Sequence, residues 1–166
     1  MVSCYVRKFG LFVKFWGPVI LWMALIFGAS GEQGSFRQSS RIIAPLLHWL
    51  FPSLSDDFIY GVVLVVRKCA HLSEYGILVL LVWRALRKPV RGGTRSWQWS
   101  SAAEALWFAV LYATTDEFHQ TFIPSREGCL RDVCIDTAGA MTALLLFWCL
   151  GRWRNWWRPL GAKTLV

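Results

Sequence analysis

The chain has 166 residues, of which 55% are hydrophobic and 11 are tryptophan, with a formal charge of +8. That length holds one domain, and the composition is too apolar for a soluble domain of this size, whose surface must be largely polar. The basic charge would suit nucleic acid, but its distribution along the chain excludes the need for such a partner.

Taken in order, the chain opens with Arg7, Lys8 and Lys14 and then a first apolar segment, Phe15–Ala29. Its flanks, with Phe27-Gly-Ala-Ser30 at the end, resemble a signal peptide. Trp16, Pro18 and Trp22 are unusual in a cleaved leader and favour a retained anchor. The connection Gly31–Asp57 contains Ile42–Phe51, ten apolar-rich residues broken by Pro45. That is too short to span a bilayer and predicts a short interfacial or re-entrant segment. The second span is predicted over Gly61–Leu86, and the third over Ala102–Tyr112, continuing to Phe122. The fourth is Val133–Leu150, before a tail, residues 151–166, in which Trp153-Arg-Asn-Trp-Trp-Arg158 predicts an aromatic and basic anchor on anionic lipid. Indole rings favour the membrane interface, which accounts for the tryptophan content. The sequence contains no internal repeat.

Charge sets the orientation. The N-terminus, the connection with Arg84, Arg87, Lys88, Arg91 and Arg95, and the tail with Arg152, Arg154, Arg158 and Lys163 hold 12 of the 18 basic residues and one acid, Glu104. The alternate connections hold the other nine acids and six basic residues. Basic residues stay cytoplasmic, so both termini are expected inside, with four crossings.

The stretch from Tyr112 to Gly139 puts Asp116, Glu117, His119, Gln120, Arg126, Asp132 and Asp136 between two apolar segments. Ionised groups at membrane depth cost roughly 3 kcal/mol each, so they mark a functional site. The second span brings Arg67, Lys68, His71, Glu74 and Tyr75 to the same outer level. Arg67, His71 and Glu74 share a helix face, as do Asp116 with Gln120 and Asp132 with Asp136. Gly139, Ala140 and Ala143 continue the last stripe, where small residues let a neighbouring helix approach closely. Three helices therefore aim polar faces at one wet cavity. Several readings stay open. A structural ion-pair network would set Arg67 and Lys68 against Asp116, Glu117 and Asp136. A metal site has competent ligands, including His71, Glu74, Asp116 and His119, but no HExxH and no two histidines on one face. An acid/base enzyme could use His71 with Asp116 or Glu117, although no nucleophile with a defined base is visible. Pro124-Ser-Arg126 adds a guanidinium suited to carboxylate or phosphate. The five cysteines, Cys4, Cys69, Cys129, Cys134 and Cys149, show no CxxC pair or zinc spacing. Cys129 and Cys134 would bridge only on an oxidising side, and scattered membrane cysteines mostly serve as small hydrophobes.

Arg67-Lys-Cys-Ala-His-Leu-Ser-Glu-Tyr75 resembles the RKxxHxxEY pattern of the VanZ-like family of small bacterial membrane proteins. Asp116-Glu-Phe-His-Gln120, Pro124-Ser-Arg126, Asp132 and Asp136-Thr-Ala-Gly139 are similar to its second block, DExxQxFxPxR followed by D and (N or D)xxG. Phe27–Ser30 is similar to a weaker motif ending the first span. The ordered set covers about residues 15–150 and is highly specific. Ser125 replaces a common Gly before the Arg, and Ala143 a second small Gly; neither departure touches a charged position. The namesake is linked to resistance to teicoplanin, a glycopeptide that binds cell-wall precursors outside the membrane. The resemblance marks Lys68, His71, Glu74, Tyr75, Asp116, Glu117, Gln120, Arg126, Asp132, Asp136 and Gly139 as important, and implies no reaction.

The expectation is thus an all-α, polytopic membrane helix bundle: four transmembrane helices plus the short interfacial segment, forming one VanZ-like domain over residues 1–166. It is expected in the bacterial cytoplasmic (inner) membrane, both termini inside, among membrane lipid, with no cofactor, no resident metal and no nucleic acid. Its outward pocket is expected to bind an envelope ligand: a lipid-linked wall precursor, a lipid head group or a glycopeptide. The alternatives are a head-group enzyme using His71 and Asp116/Glu117, or a small transporter.

Overall fold

The computed structural model describes residues 2–31, 36–87, 97–124 and 128–157. Five helices follow one another: α1 (Val2–Ala29), α2 (Phe36–Leu50), α3 (Asp56–Leu86), α4 (Trp99–Gln120) and α5 (Leu130–Trp153). Among the described residues there is no strand, so the fold is all-α as expected.

Each helix begins earlier than its apolar run does. Hydropathy senses the greasy stretch, whereas backbone hydrogen bonding continues through the polar turn before it. The start of α3 is the clearest case: the Ser55 side chain accepts from the Phe58 amide at 3.4 Å, and Asp56 and Asp57 occupy the first turn. Carboxylates there complement the positive end of the helix dipole. The segment around Pro45 forms a regular helix, α2, held to the head of α3 where His48 Nε2 lies 3.2 Å from Asp56 Oδ1. Ile42, Leu46 and Trp49 form an exposed apolar stripe on it, the form an interfacial helix takes.

Among the described residues, two helical stretches are long and apolar enough to cross a membrane: Phe9–Ala29 and Leu130–Trp153. α3 and α4, with 31 and 22 residues, match the roughly 20 residues a bilayer core requires. Charged side chains interrupt their apolar runs, however, so hydropathy alone yields two crossings rather than four.

α3 is the hub: α1, α2, α4 and α5 all pack against it, and α4 also packs against α5. α4 meets its neighbours through an alanine stripe, Ala102, Ala105, Ala109 and Ala113, all buried. Small side chains at helical spacing bring the backbones close. Val19 and Ile26 of α1, Leu78, Val79 and Val82 of α3, and Ala140 and Leu144 of α5 complete the core. α3 and α5 approach most tightly at Gly139, where a Cβ would stand 2.5 Å from the Leu72 carbonyl oxygen. Only glycine fits that crossing. Cys129 and Cys134 are free thiols.

Candidate functional site

The alanine stripe of α4 does not end in alanine. One and two turns beyond Ala113, the same inward face carries Asp116, Glu117 and Gln120, each buried. α5 repeats the pattern, with Asp136 between Val133 and Ala140 on its buried stripe. On α3 the polar turn around Lys68 and His71 leads into buried Tyr75. Helix packing therefore draws these polar groups inward along with the apolar ones, at one end of the bundle.

Asp116 and Glu117 belong to a hydrogen-bonded chain. Ser30, just past α1, donates its hydroxyl to Asp116 Oδ2 at 2.7 Å. Gln120 Nε2 bridges the acids, 3.1 Å from Asp116 Oδ2 and 3.2 Å from Glu117 Oε1. The Cys129 amide donates to Glu117 Oε2 at 3.0 Å. The loop comes that close because Gly128 lies on the end of α4, where a Cβ would fall 2.3 Å from the Glu117 carbonyl oxygen. Two further bonds fix α1 beside this chain: Tyr112 donates to the Met23 carbonyl at 2.7 Å, and Trp22 Nε1 to the Glu74 carbonyl at 2.8 Å.

The second group joins α3 to α5. Lys68 pairs with Asp132. His71 Nδ1 lies 3.5 Å from Asp136 Oδ1 and 4.0 Å from Glu74 Oε2. Asp136 is completely buried; His71 is the neighbour of its Oδ1, and its Oδ2 has no hydrogen-bond donor among the described residues. The same is true of the Tyr75 hydroxyl and of Asp116 Oδ1. The Tyr75 ring lies 6.3 Å from that of Tyr112, which connects the two groups.

The pairing differs from the network expected from sequence. Lys68 meets Asp132 rather than Asp116 or Asp136, and Asp116 meets a serine and a glutamine. Axial position explains this: Lys68 sits a turn above His71, level with the first turn of α5, where Asp132 stands. Arg67 is half-buried on α3. Arg126 lies outside the described residues. His119 packs its ring on Phe27 of α1, centroids 4.4 Å apart. Gly139 and Ala140 are buried, and the Ala143 Cβ would lie 3.2 Å from a Cβ placed on Gly76. Among the described residues, no three His, Cys, Asp or Glu side chains converge as a metal site would need.

Ser30, Tyr112, Trp22 and the Cys129 amide were not among the sequence candidates. Ser30 had a signal, since it closes the Phe27-Gly-Ala-Ser30 motif. The backbone amide had none, because a main-chain donor leaves no trace in residue type.

Chemically, the site offers buried carboxylate oxygens and a phenol, all short of partners, beside an imidazole. Such groups take N–H or O–H donors or exchange protons. A family model, VanZ/LLP1, matches residues 15–151. No curated protein and no solved structure matches the chain.

Proposed function

The chain belongs to the VanZ/LLP1 family, and with two membrane-capable helices it is a membrane protein; from that premise we propose that it binds a cell-envelope ligand in the polar cluster between α3, α4 and α5. The protein crosses the bacterial cytoplasmic membrane four times, with α1, α3, α4 and α5 as the spans and both termini inside. The cluster then opens on the outer leaflet, where lipid-linked wall precursors and lipid head groups present amide, hydroxyl and phosphate groups. Binding there contributes to tolerance of glycopeptides such as teicoplanin.

One observation carries this reading: Asp136 is fully buried, and beyond the approach of His71 to Oδ1 its other oxygen, Oδ2, has no donor among the described residues. A buried acceptor without a partner costs about 1–3 kcal/mol. A network serving only as a staple would have satisfied it, since an incomplete buried network is worse than an apolar core. Polar groups left open in this way are what a ligand's donors complete.

The test is to purify the protein in lipid nanodiscs and measure co-purifying lipid and bound metal together. Wild-type protein should retain an envelope lipid that Asp116→Asn protein of matched melting temperature loses. Equal retention by the two would sink the binding role of the cluster.

A head-group enzyme is the second reading, favoured by the 3.5 Å approach of His71 to Asp136, the arrangement that orients an imidazole as a base. His71 substitutions separate the two. An enzyme loses activity equally in His71→Gln and His71→Arg, because neither replacement transfers protons near neutral pH. A binding site that uses positive charge tolerates Arg better than Gln, and this is the outcome expected.

A further inference from the structure

The end of the bundle remote from the polar cluster holds a second site of different chemistry. There the start of α4 and the end of α5 flank a half-open cleft of about 390 Å³ lined by Trp97, Trp148, Gly151, Arg152, Asn155 and Trp157. That volume falls within the roughly 300–1,000 Å³ of small-ligand pockets. Sixteen residues separate Arg152 from Asp136 along α5, roughly 24 Å at helical rise, so the two sites are distinct.

The wall is built by the chain itself. After α5, Asn155 takes a left-handed backbone conformation, φ 54°, which turns the chain back on the helix. Trp157 then lies flat on Gly151, where a Cβ would come within 2.1 Å of the indole. Its Nε1 donates to the Trp148 carbonyl at 3.1 Å, which fixes the ring. Trp157 also packs edge-on against Trp97 and Trp83, centroids 5.3 and 6.0 Å apart. Its orientation is thus set from three sides.

The polar lining is one-signed. Arg152 holds its guanidinium over Trp148, 5.5 Å from the ring centroid, and makes no ion pair among the described residues. A cation–π contact uses none of the guanidinium N–H donors, which leaves them for an acceptor. The exposed Asn155 side chain adds amide donors beside it. No acidic residue follows Asp136 in the sequence, so the end of α5 itself brings no carboxylate side chain to those donors. A fork of donors on an aromatic wall matches a phosphate oxygen pair. We propose that this pocket binds a phosphate-bearing anion, supplied by the head group of an anionic lipid. The lipid source follows from the rim: Trp99, packed on Trp97 and Trp148 of the lining, is strongly exposed, and exposed indoles mark the level of membrane head groups.

Native mass spectrometry of the full chain in neutral detergent provides the test, titrating phosphatidylglycerol, phosphatidylcholine and inorganic phosphate in turn. Phosphatidylglycerol should bind more tightly than phosphatidylcholine. Arg152→Gln should weaken it about tenfold, the loss of one charge-assisted contact. Asn155→Gly removes the amide but keeps the left-handed turn that glycine adopts freely, and should also weaken binding. Arg131→Gln, an exposed arginine at the opposite end of α5, removes the same charge and should have no effect. Displacement of phosphatidylglycerol by millimolar inorganic phosphate would support the phosphate site with a soluble source; resistance to displacement supports the lipid. Equal weakening by Arg152→Gln and Arg131→Gln, or equal binding of the two lipids, would overturn the pocket.

Discussion

Three hydroxyls show how much of the polar cluster is already satisfied and how much stands open. Buried Ser30 and half-buried Tyr112 each donate a 2.7 Å hydrogen bond, to Asp116 and to the Met23 carbonyl. The Tyr75 hydroxyl is buried but has no partner among the described residues. Removing a satisfied donor loses its hydrogen bond, although Asp116 Oδ2 keeps Gln120 and the Met23 carbonyl keeps its place in the α1 ladder, whereas removing an unsatisfied donor costs nothing or relieves strain. Ser30→Ala and Tyr112→Phe should therefore each lower stability by about 0.5–1.5 kcal/mol, read as melting temperature in nanodiscs. Tyr75→Phe should melt at or above wild type and still lose ligand retention. If Tyr75→Phe melts as low as the other two, its hydroxyl serves the fold and not a ligand. Face-sharing was legible in sequence at this scale, because Asp132 and Asp136, four residues apart, must lie on one side of a helix. The partners were not. Which cation meets which carboxylate depends on the axial stagger of α3 against α5, a property of the crossing and not of either segment.

At the scale of elements, the α3–α5 crossing fixes the site. It sets Leu72 of α3 on Gly139 of α5, immediately beside His71 and one turn from Asp136. Three glycines grade the tolerance of this contact. A Cβ at Gly139 would meet backbone at 2.5 and 2.7 Å, one at Gly76 would meet the Ala143 side chain at 3.2 Å, and one at Gly61 would meet nothing within 4 Å. Gly139→Ala must push the helices apart and should cost about 1–3 kcal/mol, as overpacking does. Gly76→Ala should be intermediate. Gly61→Ala, in an open helix position, should be neutral or stabilise by about 0.5–1 kcal/mol. A melting series that ranks the three otherwise would contradict the crossing. Gly139→Ala should also weaken ligand retention, since it moves Asp136 away from His71. The Gly139-Ala140 step of this crossing can be read in the sequence as a small-residue stripe. Its counterpart on α3 cannot, because Leu72 contributes backbone and its residue type carries no signal.

At the scale of the whole molecule, charge and apolarity divide the bundle into two ends. One holds Asp116, Glu117, Asp132 and Asp136 with Lys68 and His71; the other holds Arg84, Arg87 and Arg152 among aromatic rings, with Trp83, Trp97 and Trp157 in mutual contact. In the proposed topology the arginine end is cytoplasmic and the acidic end faces out. Alkaline phosphatase fused after Gly128 should accordingly be active, and fused at the C-terminus it should be silent. The reverse pattern would invert the molecule and remove the outer-leaflet role. This asymmetry also separates the two proposed ligand sites, so that a substitution at one leaves the other measurable.

The sequence by itself determined the all-α class, the family and the apolar character of α1 and α5. Hydropathy and residue spacing along one segment are local properties that need no partner. Spacing also indicated which side of each helix carries the polar residues. The tertiary structure alone ties Asp116 to Ser30 and Gln120, sets Asp136 against His71 with Oδ2 open, and brings Trp157 over Gly151. Those outcomes depend on how far one helix slides along another and on where a returning chain comes to rest. Two glycines admit the closest approaches, Gly139 to the Leu72 backbone and Gly151 to the Trp157 indole.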